Sequence, residues 1–131
     1  MISAIKVWDL RYTYSRLNTN HMPKPKRMFC VPIDDVKSIN RLAGFSDMKM
    51  DSNRMTLFAN CTNSKIYQFD LHENVDQLSM TIPSYTGHRV GSFNVKIALS
   101  PSDQLLLTGS SDFYSYIYRV NYSRERNEIQ M

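Results

Sequence analysis

The chain has 131 residues, 42% of them hydrophobic, with 16 basic and 12 acidic side chains and a net charge of +4. That suits one domain with a core of its own. The mean hydropathy of −0.41, with no apolar run near the ~20 residues of a membrane helix, excludes a transmembrane helix. In chain order, IKVWDLR (5–11) alternates apolar and polar residues and predicts a strand ending at a Trp-Asp pair. It carries charge by Lys6 and lacks the basic segment and long apolar stretch of a secretory signal, so a soluble intracellular protein is expected. NTNHMPKPKRM (18–28) is polar and rich in Pro and Lys, hence a loop. RMFCVPI (27–33) is expected as an outer strand and DDVKSINRLAG (34–44) as a short helical turn.

After residue 55 the strand signal is dense. MTLFANC (55–61) is an apolar run, and KIYQFDL (65–71) alternates. LSMTIPSY (78–85) contains Pro83, which belongs on an edge because it cannot donate to a ladder. SFNVKIAL (92–99) alternates, QLLLTGSS (104–111) is a buried-type run, and SYIYRV (115–120) alternates again. The breaks between them are short and polar. The class is therefore antiparallel all-β.

Few residues bear chemistry. Cys30 and Cys61 have no second Cys or His at zinc spacing and read as ordinary core or strand thiols, so no metal site is expected. No nucleophile elbow, HExxH or Gly-rich phosphate loop occurs among four glycines, so neither catalytic residues nor a cofactor are expected. Two basic clusters, Lys24, Lys26, Arg27 and Arg119, Arg124, Arg126, read as solvated loops. With a pI of 9.1 and the aromatics Tyr114, Tyr116 and Tyr118, they leave a nucleic-acid-binding module as an alternative. Tyr114, Tyr116 and Tyr118 alternate on one strand face, however, which points to packing.

Internal repetition organises the rest. LFANCTNSKIYQFD (57–70) aligns with LTGSSDFYSYIYR (107–119) when Asn60 is set on Gly109. Val7-Trp8-Asp9, Gln68-Phe69-Asp70 and Ile117-Tyr118-Arg119 end three strands alike. Gly87-His88, then SPSDQLLLTGSSD and an aromatic strand, resembles a WD repeat, the four-stranded blade of a β-propeller. The resemblance implies a buried polar chain of His88, Thr108 or Ser110 (Thr108 being favoured), Asp112 in the tight turn, and Tyr118 where Trp usually stands. Such a chain fixes strand register because buried polar groups must be paired. The middle copy departs from the pattern, with Ala59, Asn63 and Phe69 at the corresponding positions, so packing alone is expected to hold that blade. The expected architecture is a partial WD40 β-propeller of about two and a half blades: the end of one blade over 1–11, a long connection with an outer strand over 12–43, a full blade over 44–86, most of another over 87–120, and a polar tail over 121–131. A propeller closes with about four or more blades, so this stretch does not close alone.

KVWDLR, LFANCTNSKIYQF and GHRVGSFNVKIALSPSDQLLLTGSSDFYSYIYRV together resemble the central blades of denticleless-type WD-repeat proteins, substrate receptors of cullin-RING ubiquitin ligases. The resemblance covers most of residues 5–120 and is weakest over 12–43. It implies a non-catalytic receptor in the nucleus. Its implied partners are the ligase adaptor and degron-bearing substrates presented on the DNA sliding clamp, with neither membrane nor direct nucleic-acid contact. The family's Trp-Asp-x-Arg motif falls on Trp8, Asp9, Leu10 and Arg11, which the resemblance makes the adaptor-binding residues. An incomplete or degenerate WD-repeat protein without a ligase role is the other alternative.

Overall fold

The computed structural model describes residues 4–10, 25–31, 43–72, 82–91 and 94–122. Among these residues the secondary structure is all strand and turn, in three antiparallel sheets. β1 (Ala4–Val7) pairs with β2 (Arg27–Cys30). The middle sheet has the order β3 (Phe45–Met50), β4 (Thr56–Cys61), β5 (Lys65–Asp70), β6 (Ser84–Thr86). The last has the order β7 (Ile97–Leu99), β8 (Leu105–Thr108), β9 (Tyr116–Arg119).

β6 follows Pro83 at the edge of its sheet, as a residue without an N–H requires; the Pro83 carbonyl still accepts the Gln68 N–H at 2.9 Å. β2 is the outer strand expected within 27–33. Residues 34–42 of the expected helical turn lie outside the described residues, and Ala43 and Gly44 lead into β3 without helical structure.

β3 was not anticipated from the sequence. Its FSDMKM carries charge at Asp47 and Lys49, and a register shift between Phe45 and Asp47 interrupts its pairing with β4. The run at 104–111 also differs from expectation. β8 alternates instead of being buried throughout: Leu106 and Thr108 face the core, while Leu105 and Leu107 remain 42% and 44% exposed. Among the described residues no further sheet covers that face.

The two hairpins of the repeat are built alike. Non-glycine residues with positive φ occur at Arg54 and Ser64 in the middle sheet and at Asp103 and Phe113 in the last, at matching places in the alignment. Each first turn is held by a side chain accepting main-chain N–H groups. Asp51 Oδ1 accepts from Met55 (2.9 Å) and Thr56 (3.1 Å), and Ser100 Oγ accepts from Leu105 (3.1 Å).

The middle sheet is packed on both faces, and β4 is buried along its whole length. The strand period of two sends Leu57, Ala59, Cys61, Tyr67 and Phe69 to one side, against Ile5, Phe29 and Val31 of the first sheet's segments. Phe58 and Ile66 face the other way and pack on Ile97, Leu106 and Val120. Both cysteines are free thiols, Cys61 in the core and Cys30 half-buried at the end of β2.

Candidate interaction site

Two regions carry the residues singled out by sequence. The first is the end of β1. Trp8 and Asp9 follow its last residue, with Trp8 40% exposed. Asp9 forms an ion pair with Lys26 across the two-stranded sheet, Oδ2 to Nζ 3.9 Å, so one member of the first basic cluster steadies the strand end. Leu10 is 89% exposed. Arg11, the fourth residue of that motif, lies outside the described residues, as do Arg124 and Arg126 of the second basic cluster.

The second region is the seam between the middle and last sheets. His88 is buried, 2% exposed, in the loop joining them. The Tyr118 hydroxyl lies 3.2 Å from His88 Nδ1 and accepts the His88 main-chain N–H at 3.1 Å. His88 Nε2 is 2.9 Å from Asn60 Oδ1 on β4. Asn60 Nδ2 donates to the Val95 carbonyl at 3.2 Å, so its Oδ1 is the acceptor and His88 Nε2 carries the proton. Nδ1 is then left to accept from Tyr118. The neutral imidazole thus satisfies every group and clasps β4 to β9.

Both ring nitrogens of His88 are occupied, by Tyr118 and Asn60, and the nearby Asp112 carboxylate acts on the ring by its charge. The Asp112 carboxylate accepts from the Tyr116 hydroxyl and the Tyr114 N–H. Hydrogen bonds from Tyr116 and Ser110 hold its carboxyl below the usual range. Ser110 Oγ also accepts the Arg89 N–H at 2.8 Å. Thr108, the hydroxyl favoured from sequence, is fully buried and donates to the Gly109 carbonyl at 2.9 Å. The structure therefore brings His88 to Tyr118, Ser110 to the Arg89 main chain, and Asp112 to Tyr116.

The middle sheet does not rely on packing alone, as had been expected of it. Asn63 Nδ2 donates to the Tyr67 hydroxyl at 2.6 Å and its Oδ1 accepts the Lys65 N–H at 3.2 Å. This is the counterpart of Asp112 with Tyr116. The signal was legible as a polar turn residue followed four positions later by Tyr in both copies. Asn60 was not legible as a partner, because its role depends on a histidine in the loop between the two sheets. The seam is reinforced by Ser46 Oγ donating to the Val95 carbonyl (2.9 Å), Ile97 N–H to Asp47 (3.0 Å) and Asn121 N–H to the Tyr85 hydroxyl (3.1 Å).

Burial lowers the pKa of His88 from its ordinary 6.5, opposed in part by the Asp112 carboxylate. A histidine held neutral binds fewer protons folded than unfolded, so stability falls as pH drops below about 6.5 toward the folded-state value. Urea midpoints measured between pH 7.5 and 5.5 are expected to decline in the wild type and to flatten in His88→Gln. An equal decline in both would assign the effect elsewhere.

Stacked antiparallel sheets that repeat one hairpin geometry and are joined through a Gly-His loop define a partial WD40 propeller. No protein-family model matches the chain. It is similar to the denticleless proteins over about nine-tenths of its length. It is 38% identical over 117 residues to the denticleless protein homolog of Homo sapiens, covering 89% of this chain and 15% of that protein. The corresponding figures are 35% over 118 residues, 90% and 15% for the Gallus gallus homolog, and 30% over 122 residues, 93% and 15% for lethal(2)denticleless of Drosophila melanogaster. The chain spans about 15% of the length of these relatives.

Proposed function

We propose that this chain is part of a substrate receptor of a cullin-RING ubiquitin ligase, acting in the nucleus as a non-catalytic scaffold that docks on the ligase adaptor and recruits proteins for ubiquitination. The observation that carries the reading is the likeness to denticleless proteins over about nine-tenths of the chain. The physical support is a strand end braced by the Asp9–Lys26 pair, with Trp8 exposed beside it. A planar guanidinium at Arg11, two residues further on, suits bidentate pairing with a carboxylate or carbonyl of the adaptor. Substrates presented on the DNA sliding clamp are the partners that the resemblance supplies.

The test is adaptor co-purification with a polypeptide that supplies the remaining blades. Arg11→Ala is expected to weaken adaptor binding by about thirtyfold, the loss of one interface anchor at ~2 kcal/mol. The unfolding midpoint is expected to stay that of the wild type, which separates a docking role from a structural one. Undiminished adaptor binding would remove the docking role.

A further inference from the structure

The turn that begins β9 carries an anomaly that the fold does not use. Phe113 has a φ of 71° and is 101% exposed. Bulky side chains are disfavoured in the left-handed region, and an apolar ring in water gains nothing from burial. The matching position in the middle sheet is Ser64, with a φ of 66°. There the side chain serves the fold, because its hydroxyl accepts the Val90 N–H at 3.0 Å. Serine is thus compatible with this turn, and phenylalanine replaces it without gaining a contact. Strain and apolar exposure at a single residue point to an external partner.

The surroundings form a fixed platform. Arg89 and Gly91 donate main-chain N–H groups to Ser110 Oγ (2.8 Å) and Ser111 Oγ (2.7 Å), and Ser111 N–H donates to the Arg89 carbonyl (2.8 Å). The loop is thereby tied to the 111–114 turn on one side and to Ser64 on the other. Tyr114, 72% exposed, stands next to Phe113 with its N–H held by Asp112. The Arg89 side chain is exposed, on a residue whose main chain is bonded to Ser110 and Ser111 of the same turn region. Preformed aromatic anchors beside an arginine are the composition of an interface hot spot.

We propose that Arg89, Phe113 and Tyr114 form a substrate-docking rim for a protein segment in which an apolar side chain adjoins a carboxylate. The apolar side chain seats against Phe113 and Tyr114, and the carboxylate pairs with Arg89. The charge on this rim favours an acidic segment: Arg89 is exposed, whereas the Asp112 carboxylate is already bonded by Tyr116 and Tyr114. A nucleic-acid strand fits less well. Tyr116 and Tyr118 stack on each other and use their hydroxyls internally, so neither offers a free platform for a base. The rim lies where β9 begins, whereas Trp8 and Asp9 follow the end of β1, the equivalent strand. The inference rests on the receptor reading, and it places substrate and adaptor at opposite ends of the strands.

The experiment is selection from a displayed library of random dodecapeptides by the complete receptor, wild type and variants, with adaptor binding measured in parallel. The wild type is expected to enrich peptides with an apolar residue within two positions of Asp or Glu. Phe113→Ser is expected to weaken a selected peptide by about thirtyfold, with an unfolding midpoint no lower than wild type. Arg89→Glu is expected to shift the preference toward Lys and Arg. Enrichment indifferent to both variants, or Phe113-dependent binding of a labelled oligothymidine in place of peptide, would overturn the proposal. Arg11→Ala leaves peptide selection intact and removes the adaptor, so failure of the docking reading and failure of the rim are separately visible.

Discussion

Phe69→Ala is expected to lower the unfolding free energy by about 3–5 kcal/mol, the cost of deleting a buried aromatic ring. Phe69 is 1% exposed, and its ring is 5.2 Å from Phe29, 6.1 Å from Tyr67 and 6.4 Å from Phe45. It joins the two-stranded sheet to the middle one, so the cavity would open between sheets where neither can collapse far. Tyr118 is its counterpart in the last sheet, but it is half-buried and hydrogen-bonded to His88. Tyr118→Phe keeps the ring and loses the bonds, and should cost about 1–2 kcal/mol. Urea denaturation of both variants, in a polypeptide supplying the remaining blades, measures the contrast. A Phe69→Ala loss below that of Tyr118→Phe would show that the first seam is not packed as described.

The 131-residue chain purified by itself is expected to self-associate. Leu105, Leu107 and Ile117 present an apolar face at 42%, 44% and 66% exposure, and Met28 with Trp8 presents another at the opposite end, at 55% and 40%. β1 and β9 each lie at the edge of a sheet among the described residues, and unpaired strand edges invite pairing with another chain. The middle sheet packs one face on the first sheet and the other on the last, so two uncovered outer faces suit head-to-tail association, which need not close. Sedimentation velocity should find concentration-dependent species heavier than the 15.3 kDa monomer. Leu107→Lys with Ile117→Lys should reduce them. A single monomeric species that unfolds cooperatively would refute the open-propeller account.

The legible parts of the sequence were those whose signal is local. An apolar run marked β4 and alternation marked β5 and β9 to within a residue or two, Pro83 marked an edge, and the Gly-His frame marked the loop between sheets. β3 was hidden because its charged Asp47 is spent on the Ile97 N–H of the next sheet, a use that no local pattern reveals. The face on which Leu105 and Leu107 lie was misjudged for a related reason: apolar residues record what a face is built to meet, and among the described residues nothing meets it. Asn60 illustrates the limit most clearly. In the strand it is one polar residue in an apolar run, and only stacking turns it into the partner of His88. Of the two hydroxyls weighed, Thr108 bonds to the adjacent Gly109 carbonyl and Ser110 to the Arg89 main chain.

The clasp between sheets is tested most directly by a double-mutant cycle on His88 and Asn60, 28 residues apart and brought to 2.9 Å only by stacking of consecutive sheets. His88→Leu and Asn60→Leu each strand a buried polar partner, whereas the double variant removes both, so the pair should cost less than the sum of its parts. Bonds to Tyr118 and Val95 cancel in the cycle. In a polypeptide with the remaining blades present, the account predicts a coupling of about 1 kcal/mol or more; additivity within ~0.3 kcal/mol would contradict it.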